Sequence, residues 1–379
     1  MKLKRNAIAN YMQSSAPVVN NAAANIDIYE PQTLHQPFQK RMPVTTFLRD
    51  TFFPGYQTFS TKHVLMDFVK NNQSVAPFIA EGSGSINIRR QGYKTKIYEA
   101  PYISLSAPYD VNLLQGRLPG ESVFNSGLTP EERALRLMQQ DYNELDDRIT
   151  RKEEVMVAEV MQRGSTTVTG FVDDTATKVR TDTVDYDFDN LIDLSGGGQW
   201  NQNSSKKYND LYEAVTLVRQ GGYNPEIAIL GEMATRNLLA DEAFMNHYMD
   251  KRFAQFGSIN PQLNLQNGNG YAYIGRLTEL GLDLFSYIAW YFDEVDQKLK
   301  PYIKPNKVIV GTRNMGEMLY GAITMIPEGS NDFATYESPR VPKVTINREN
   351  DVKKLHLKSR PLPKPFDVSS WSVIDTVRE

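Results

Sequence analysis

The stretch from Thr129 to Gly164 constrains this chain most, because it reads as one unbroken helix. Thr129-Pro130-Glu131-Glu132 has the form of a capping box with proline at the first helical position. Its acids suit the positive end of the helix dipole. Gly164 stands where a left-handed C-terminal cap belongs, and no proline or glycine lies between Pro130 and Gly164. At 1.5 Å per residue the helix is roughly 50 Å long. Typical globular helices run about 8–20 residues, so this one reads as a strut inside something larger. Leu135, Met138, Tyr142, Leu145, Ile149, Met156 and Val160 recur at spacings of three and four, interrupted by Lys152, and cover about 100° of the helical wheel. The remaining positions are mostly charged or amide, among them Asp141, Glu144, Asp146, Asp147, Arg148, Glu153, Glu154 and Glu159. The expectation is that one edge rests on its own domain and the rest faces water or a neighbouring chain. An antiparallel coiled-coil hairpin would need a second helix of matching length, and the sequence after Gly164 turns β-like instead.

A chain of 379 residues with 40% hydrophobic content can bury a sizeable core and has room for two or three subdomains. Its net charge of −3 carries no global basic signal for nucleic-acid binding. No run of eighteen apolar residues predicts a membrane span. Lys2, Lys4 and Arg5 are not followed by an apolar stretch, so a signal peptide is not expected. The absence of cysteine excludes disulfides and thiolate metal sites, and a reducing cytoplasm is the simplest compartment. Twenty tyrosines and seventeen phenylalanines are a heavy load for so polar a chain, and extensive subunit interfaces would use them.

Residues 1–45, rich in Asn, Ala, Gln and Pro, read as an extended arm. Thr46 to Phe59 reads as a turn-rich aromatic stretch and His63 to Val69 as a strand. Glu81 to Asp110 reads as a long polar hairpin, with Ser85–Arg90 and Tyr93–Tyr98 flanking a tight turn at Gln91-Gly92. A lone two-stranded hairpin is marginal in water, so this one is expected to lie on a partner. Arg89, Arg90, Lys94 and Lys96 make its tip basic. Thr166 to Phe188 reads as a further β-hairpin, and Ser195-Gly196-Gly197-Gly198-Gln199-Trp200 as a glycine break.

Residues 201–330 read α/β. A helix face is marked by Leu211, Val215 and Val218, and short strands by Glu226–Leu230, Lys307–Gly311 and Ala322–Ile326. Glu232–Phe253 reads as a helix and Leu284–Phe292 as one aromatic strand. Lys343–Ile346, Leu355–Leu357 and Ser372–Val377 read as strands, with Pro361, Pro363 and Pro365 as a stiff connector. Strands before residue 200 and after 330 are expected to pair around an inserted α/β part.

Candidate chemistry is sparse. The four histidines, His35, His63, His247 and His356, have no metal-pair spacing. Gly82-Ser83-Gly84 and Gly268-Asn269-Gly270 lack the full spacing of phosphate loops. No His, Asp and Ser set converges in residues 201–330, so an enzyme is not expected, and no cofactor is implied. Asp141, Glu144, Asp146 and Asp147 form an acidic helix turn that reads as a partner for basic groups on a neighbouring subunit, the basic hairpin tip being the natural candidate. That contact would be salt-sensitive.

The order of these parts resembles the major capsid proteins of tailed bacteriophages, in particular the lambda-type major capsid protein E family. The residues that carry the resemblance are Phe47-Leu48-Arg49-Asp50-Thr51-Phe52-Phe53, Thr61-Lys62-His63-Val64, Arg89-Arg90-Gln91-Gly92, Ala107-Pro108-Tyr109-Asp110, Ser195 to Trp200, Ser359-Arg360-Pro361-Leu362-Pro363 and Val373-Ile374-Asp375-Thr376-Val377. The resemblance runs from Thr46 to Glu379, and residues 1–45 match nothing. It implies an α+β chain with the Hong Kong 97 phage capsid fold. Residues 1–45 would be an N-terminal arm, 46–80 the first segment of a peripheral domain and 81–110 the extended loop. Residues 111–200 would form the peripheral domain with spine helix 130–163, 201–330 the axial domain, and 331–379 strands returning to the peripheral domain. The glycine turn Gly196, Gly197, Gly198 with Trp200 would be structural. The implied function is self-assembly into hexamers and pentamers of an icosahedral shell around packaged double-stranded DNA, held by weak non-specific contact. Implied partners are a scaffolding protein, a portal and a decoration protein, and no membrane. The implied location is the virion, after assembly in the host cytoplasm. A covalent crosslink through Lys94 or Lys96, found in one relative of this fold, is not expected. An encapsulin-like shell of a cellular compartment is the alternative.

Overall fold

In the computed structural model, the helix Pro130–Arg163 forms as its sequence dictates. The structure describes residues 44–61, 63–69, 78, 93–109, 129–171, 179–242, 244, 270–327 and 331–378. The Thr129 backbone N–H donates to Glu132 Oε2 at 2.8 Å, and the Glu132 N–H donates back to Thr129 Oγ1 at 3.2 Å. At the other end Gly164 adopts φ +65° and its N–H bonds the Val160 carbonyl at 2.7 Å.

Along the chain the described elements are helix α1 (Phe47–Phe52) and strands β1 (Gly55–Phe59), β2 (His63–Val69), β3 (Tyr93–Glu99) and β4 (Ile103–Tyr109). Then come the long helix α2 (Pro130–Arg163), strands β5 (Ser165–Phe171), β6 (Val179–Asp185) and β7 (Leu191–Asp193), helix α3 (Lys207–Gln220), strand β8 (Ile227–Leu230) and helix α4 (Glu232–Leu239). Strands follow: β9 (Tyr271–Leu277), β10 (Leu282–Tyr287), β11 (Trp290–Asp293), β12 (Lys298–Pro301), β13 (Lys307–Gly311) and β14 (Gly316–Gly321). The last are β15 (Ile323–Met325), β16 (Ala334–Tyr336), β17 (Val341–Asn347), β18 (Val352–Ser359), β19 (Pro361–Pro365) and β20 (Trp371–Asp375). The chain divides into two compact units, Met1–Arg41 with Val111–Leu135, and Met42–Asp110 with Arg136–Glu379. Of the first, Thr129–Leu135 is described; all the described strands belong to the second.

A six-stranded sheet in the order β7-β20-β13-β8-β10-β9 organises the second unit. Its central strands are apolar runs because both faces are buried, and the two-residue period sorts their side chains into two cores. Ile227, Ile229, Phe285, Tyr287, Ile309, Trp371 and Val373 face one core, together with Val155, Val157, Val160 and Met161 of α2. Ala228, Leu230, Leu282, Leu284, Val308, Val310 and Ile374 face the other, with Leu211, Ala214 and Val215 of α3 and Ala234 and Leu238 of α4. The first half of α2 in this unit lies elsewhere: Met138, Tyr142, Leu145 and Ile149 pack on Tyr109 of β4 and on Leu355 and Leu357 of β18. Strands β4, β18 and β17 form one antiparallel sheet, so chain segments before residue 200 and after 330 do pair.

Several sequence expectations change. The single apolar edge holds for α2 from Met138 to Ile149, while Leu135 is exposed; from Glu153 to Gln162 nearly every side chain is buried, because the helix has entered a core layered against the sheet. Val155-Met156-Val157-Ala158 is apolar on all sides, the mark of a surrounded helix. Thr46–Phe59 holds a helix and a strand rather than turns alone. Strand β3, expected as one arm of the polar hairpin, pairs with β2 from His63↔Glu99 through Val69↔Tyr93. The expected turn at Gln91-Gly92 and the strand Ser85–Arg90 lie outside the described residues, as do residues 1–43.

The helix beginning at Glu232 stops at Leu239, and the Asp241 carboxylate accepts from the Phe244 N–H at 3.0 Å, opening a new turn. Leu284–Phe292 divides between β10 and the hairpin strand β11. The proline connector is the edge strand β19, paired with β14. The alternate residues Arg360 and Phe366 bond toward β14, so Pro361, Pro363 and Pro365 turn their donor-less nitrogens to the open side. The closing strand β20 lies inside the six-stranded sheet between β7 and β13.

Candidate functional site

The expected basic and acidic surfaces meet their own chain first. Arg89 and Arg90 lie outside the described residues, and Lys94 is placed as a β3 residue opposite Phe68. Lys96 Nζ sits 2.6 Å from Asp187 Oδ1, just past the end of β6. Tyr98 donates its hydroxyl to the Asp185 carbonyl at 2.6 Å, and burial, then the Asp187 and Asp185 charges, push the phenol up to about 12. These two contacts staple the base of the β2–β3 hairpin to the body of the subunit.

The four helix acids do not act as one face. Glu144 pairs with Arg148 one turn on, at 3.0 Å, and Arg148 also reaches Glu294 in the β11–β12 turn at 2.8 Å. Asp146 accepts from Arg340 Nε at 2.6 Å. Burial raises the Tyr109 phenol, and the Asp141 carboxylate adds to the shift. Asp147 is half-buried.

The glycine turn is a structural lock. Gly196 takes φ +57° in a single 3-10 turn over Gly196–Gly198, and Ser204 Oγ donates to the Gly197 carbonyl at 2.7 Å. Trp200 is buried, donates its indole N–H to Asp210 at 2.8 Å and bonds the Thr376 carbonyl at 3.0 Å. The turn therefore fastens the end of the chain to α3.

The strongest polar arrangement was not expected from sequence. Glu153 and Glu154 have 0% exposure. Glu153 takes Arg340 Nη1 at 2.6 Å, Arg49 Nη1 at 3.0 Å and the Tyr320 hydroxyl at 3.0 Å. Glu154 accepts from the backbone N–H groups of Leu48 at 2.8 Å and Arg49 at 3.0 Å, and from the Tyr287 hydroxyl at 2.9 Å. A buried carboxylate needs this many donors to offset lost hydration. Burial pushes Glu154 up to about 7, against the pull of the Arg49 and Leu48 N–H groups, Tyr287 and the Arg49 charge. The sequence signal was the apolar run beginning one residue after the pair. The cluster joins α1, α2, β10, β14 and the Arg340 loop. Among the described residues no group of three or more His, Asp or Glu could hold a metal, and no helix is long and apolar enough to cross a membrane.

What the arrangement supplies is a braced scaffold with open outer surfaces. No curated protein sequence matches the chain. Among solved structures, a capsid protein of a prophage from E. coli CFT073 is similar at a TM-score of 0.59, with 19% identity, covering 89% of this chain and 93% of that one. The capsid of Ralstonia phage GP4 gives 0.47 at 10% identity, covering 86% and 87%. The SrpI encapsulin complex from Synechococcus elongatus PCC 7942 gives 0.40 at 10% identity, covering 98% and 95%. The first of these places the chain in the Hong Kong 97 phage capsid fold, and the two below 0.5 add no argument. The family model for phage major capsid protein E matches residues 30–372, nearly the whole chain, so this protein belongs to the phage major capsid protein E family.

Proposed function

We propose that this chain builds the head of a tailed phage as hexamers and pentamers of an icosahedral shell enclosing packaged double-stranded DNA. The observation that carries the reading is the family match over residues 30–372. Members of a capsid family assemble with copies of themselves, and the exposed outer half of α2 and the stapled β2–β3 hairpin suit that task. In this reading Arg89, Arg90 and Lys94 reach a neighbouring copy, whereas Lys96 serves to hold the hairpin base. The acidic turn Asp141, Glu144, Asp146 and Asp147 is the surface of the neighbouring copy that would receive them, with Asp146 bonded to Arg340 and Glu144 to Arg148 within their own chain. A net charge of −3 lets the shell enclose DNA without gripping it. Scaffolding, portal and decoration proteins are the further partners of this reading, with assembly in the host cytoplasm, and the chain's role is structural rather than catalytic.

Sedimentation of the overexpressed chain, with and without co-expressed proteins of its phage, tests this. Large nuclease-resistant particles are expected, and particles from infected cells should protect DNA. A cargo enzyme in place of DNA would favour the encapsulin-like alternative.

A further inference from the structure

The hairpin β11–β12 has its polarity reversed relative to an ordinary surface hairpin. Trp290 and Phe292 alternate along β11 and are 50% and 53% exposed, and Ile288, just before the strand, is 44% exposed. Leu299, 66% exposed, stands directly opposite Phe292, and Pro301 stands opposite Trp290. Residues opposite one another in an antiparallel pair share a face, so Trp290, Phe292, Leu299 and Pro301 lie on one side.

The other side holds the charges. Lys300 bonds Asp293 at 2.6 Å and also Asp296, while Tyr291 packs on Tyr302 with ring centroids 5.1 Å apart. The turn is tied to α2 by Glu294 and Arg148. The outward face is therefore an uncharged, apolar stripe on a two-stranded ribbon whose other face is tied to the subunit.

We infer that this stripe is a contact surface for a second copy of the chain within the shell. The inference rests on the capsid reading above and names one of its interfaces. Two observations choose the occupant. A capsid-family chain packs against copies of itself, so an apolar face of this kind has a standing partner. The size also fits. Side chains that bury about 150–250 Å² each when covered, here half-exposed, offer on the order of 400 Å². A stable pair of proteins needs about 600–1,000 Å² from each partner. The stripe is thus too small to hold two free subunits together, and it is sized as one of several contacts that act only when many copies close a shell.

The chain's own tryptophans provide the readout. Trp200 and Trp371 are shielded inside the subunit, so Trp290 alone is open to a small quencher. Acrylamide quenching of emission should be compared in free wild-type subunits and in purified wild-type shells, with Trp290→Phe as the control that removes the signal. On assembly the quenching constant of the Trp290 component is expected to fall by roughly fivefold or more, since an interface core excludes solvent. As an independent arm, Phe292→Ser with Leu299→Ser should leave a folded subunit and raise the concentration needed for shells by roughly tenfold, a change of about 1.4 kcal/mol per subunit. Shells that form normally but leave Trp290 as quenchable as before would overturn the inference while leaving the capsid reading intact. So would protection that appears only after another virion protein is added to the shells. If the wild-type chain never forms shells, the capsid reading fails and the inference falls with it.

Discussion

Glu154 caps a helix that begins more than a hundred residues before it: its Oε1 accepts from the backbone N–H of Leu48 at 2.8 Å. Its Oε2 accepts from the next N–H, that of Arg49, at 3.0 Å. Thr46, in the N-cap position of α1, makes no side-chain hydrogen bond to the helix backbone, so the carboxylate of α2 does that work across the fold. Glu154→Ala would leave the buried Leu48 N–H and the half-buried Arg49 N–H without their acceptor and would remove the closer partner of the Tyr287 hydroxyl. Chemical denaturation of the subunit should show a loss of about 3 kcal/mol or more. A loss under about 1 kcal/mol would mean that α1 does not depend on this cap.

The same residue sets a pH dependence. Glu154 is raised from 4.5 to about 7 in the folded chain. A carboxyl that holds its proton more tightly when folded favours the folded state most below its unfolded value. That contribution is lost as pH rises from about 4.5 through about 7, and it amounts to about 3 kcal/mol. Denaturation midpoints of wild type and Glu154→Gln, measured across pH 4–8, should therefore converge on the acid side and separate as pH rises, the wild type losing stability relative to the variant. A pH-independent difference would contradict the assignment.

Arg340 spans Asp146, Thr150 and Glu153, three residues along one side of α2, at 2.6, 3.2 and 2.6 Å. A lysine ammonium cannot reproduce that planar fork. Arg340→Ala should cost about 3–5 kcal/mol, because it weakens the pairing of a fully buried carboxylate, and Arg340→Lys somewhat less. A double-mutant cycle with Glu153→Gln should give a coupling of about 1–3 kcal/mol. Additive effects would show that the pair is incidental.

Much of this molecule could be read from residues in order, and what escaped did so for identifiable reasons. The capping box and Gly164 are local signals, so both ends of α2 were legible. The burial of Glu153 and Glu154 was not, because it depends on Arg49, Tyr287, Tyr320 and Arg340, none of them near in sequence. Pro361, Pro363 and Pro365 read as a connector because proline removes a ladder donor, yet at alternate positions of an edge strand the loss falls on the open side. Leu284–Phe292 read as one strand since its apolar content is continuous, and only the pairing with Lys298–Pro301 reveals the hairpin. The acids of α2 were visible as a cluster, but composition could not tell that Asp146 was already taken.

Gly164 bears the turn from α2 into β5. Its φ of +65° is strained for any side chain, and a Cβ would lie 1.9 Å from that of Phe188. Gly164→Ala should lower stability by about 2 kcal/mol or more, read as a drop in the melting temperature of the subunit. An unchanged melting temperature would show that the turn can relax.

Arg89→Ser with Arg90→Ser separates folding from assembly. The hairpin base is held by Lys96 and Tyr98, so the variant subunit should melt as wild type does. Its assembly should be poorer and less sensitive to salt, which light scattering at several ionic strengths will measure. Wild-type assembly with wild-type salt dependence would remove these arginines from the interface.

The central claim is that this chain closes into a shell, and electron microscopy of the purified chain tests it most directly. Negatively stained samples, from the chain alone and co-expressed with other proteins of its phage, should contain closed icosahedral particles with rings of six and five subunits. Fields of small, unassociated monomers under every condition would contradict it.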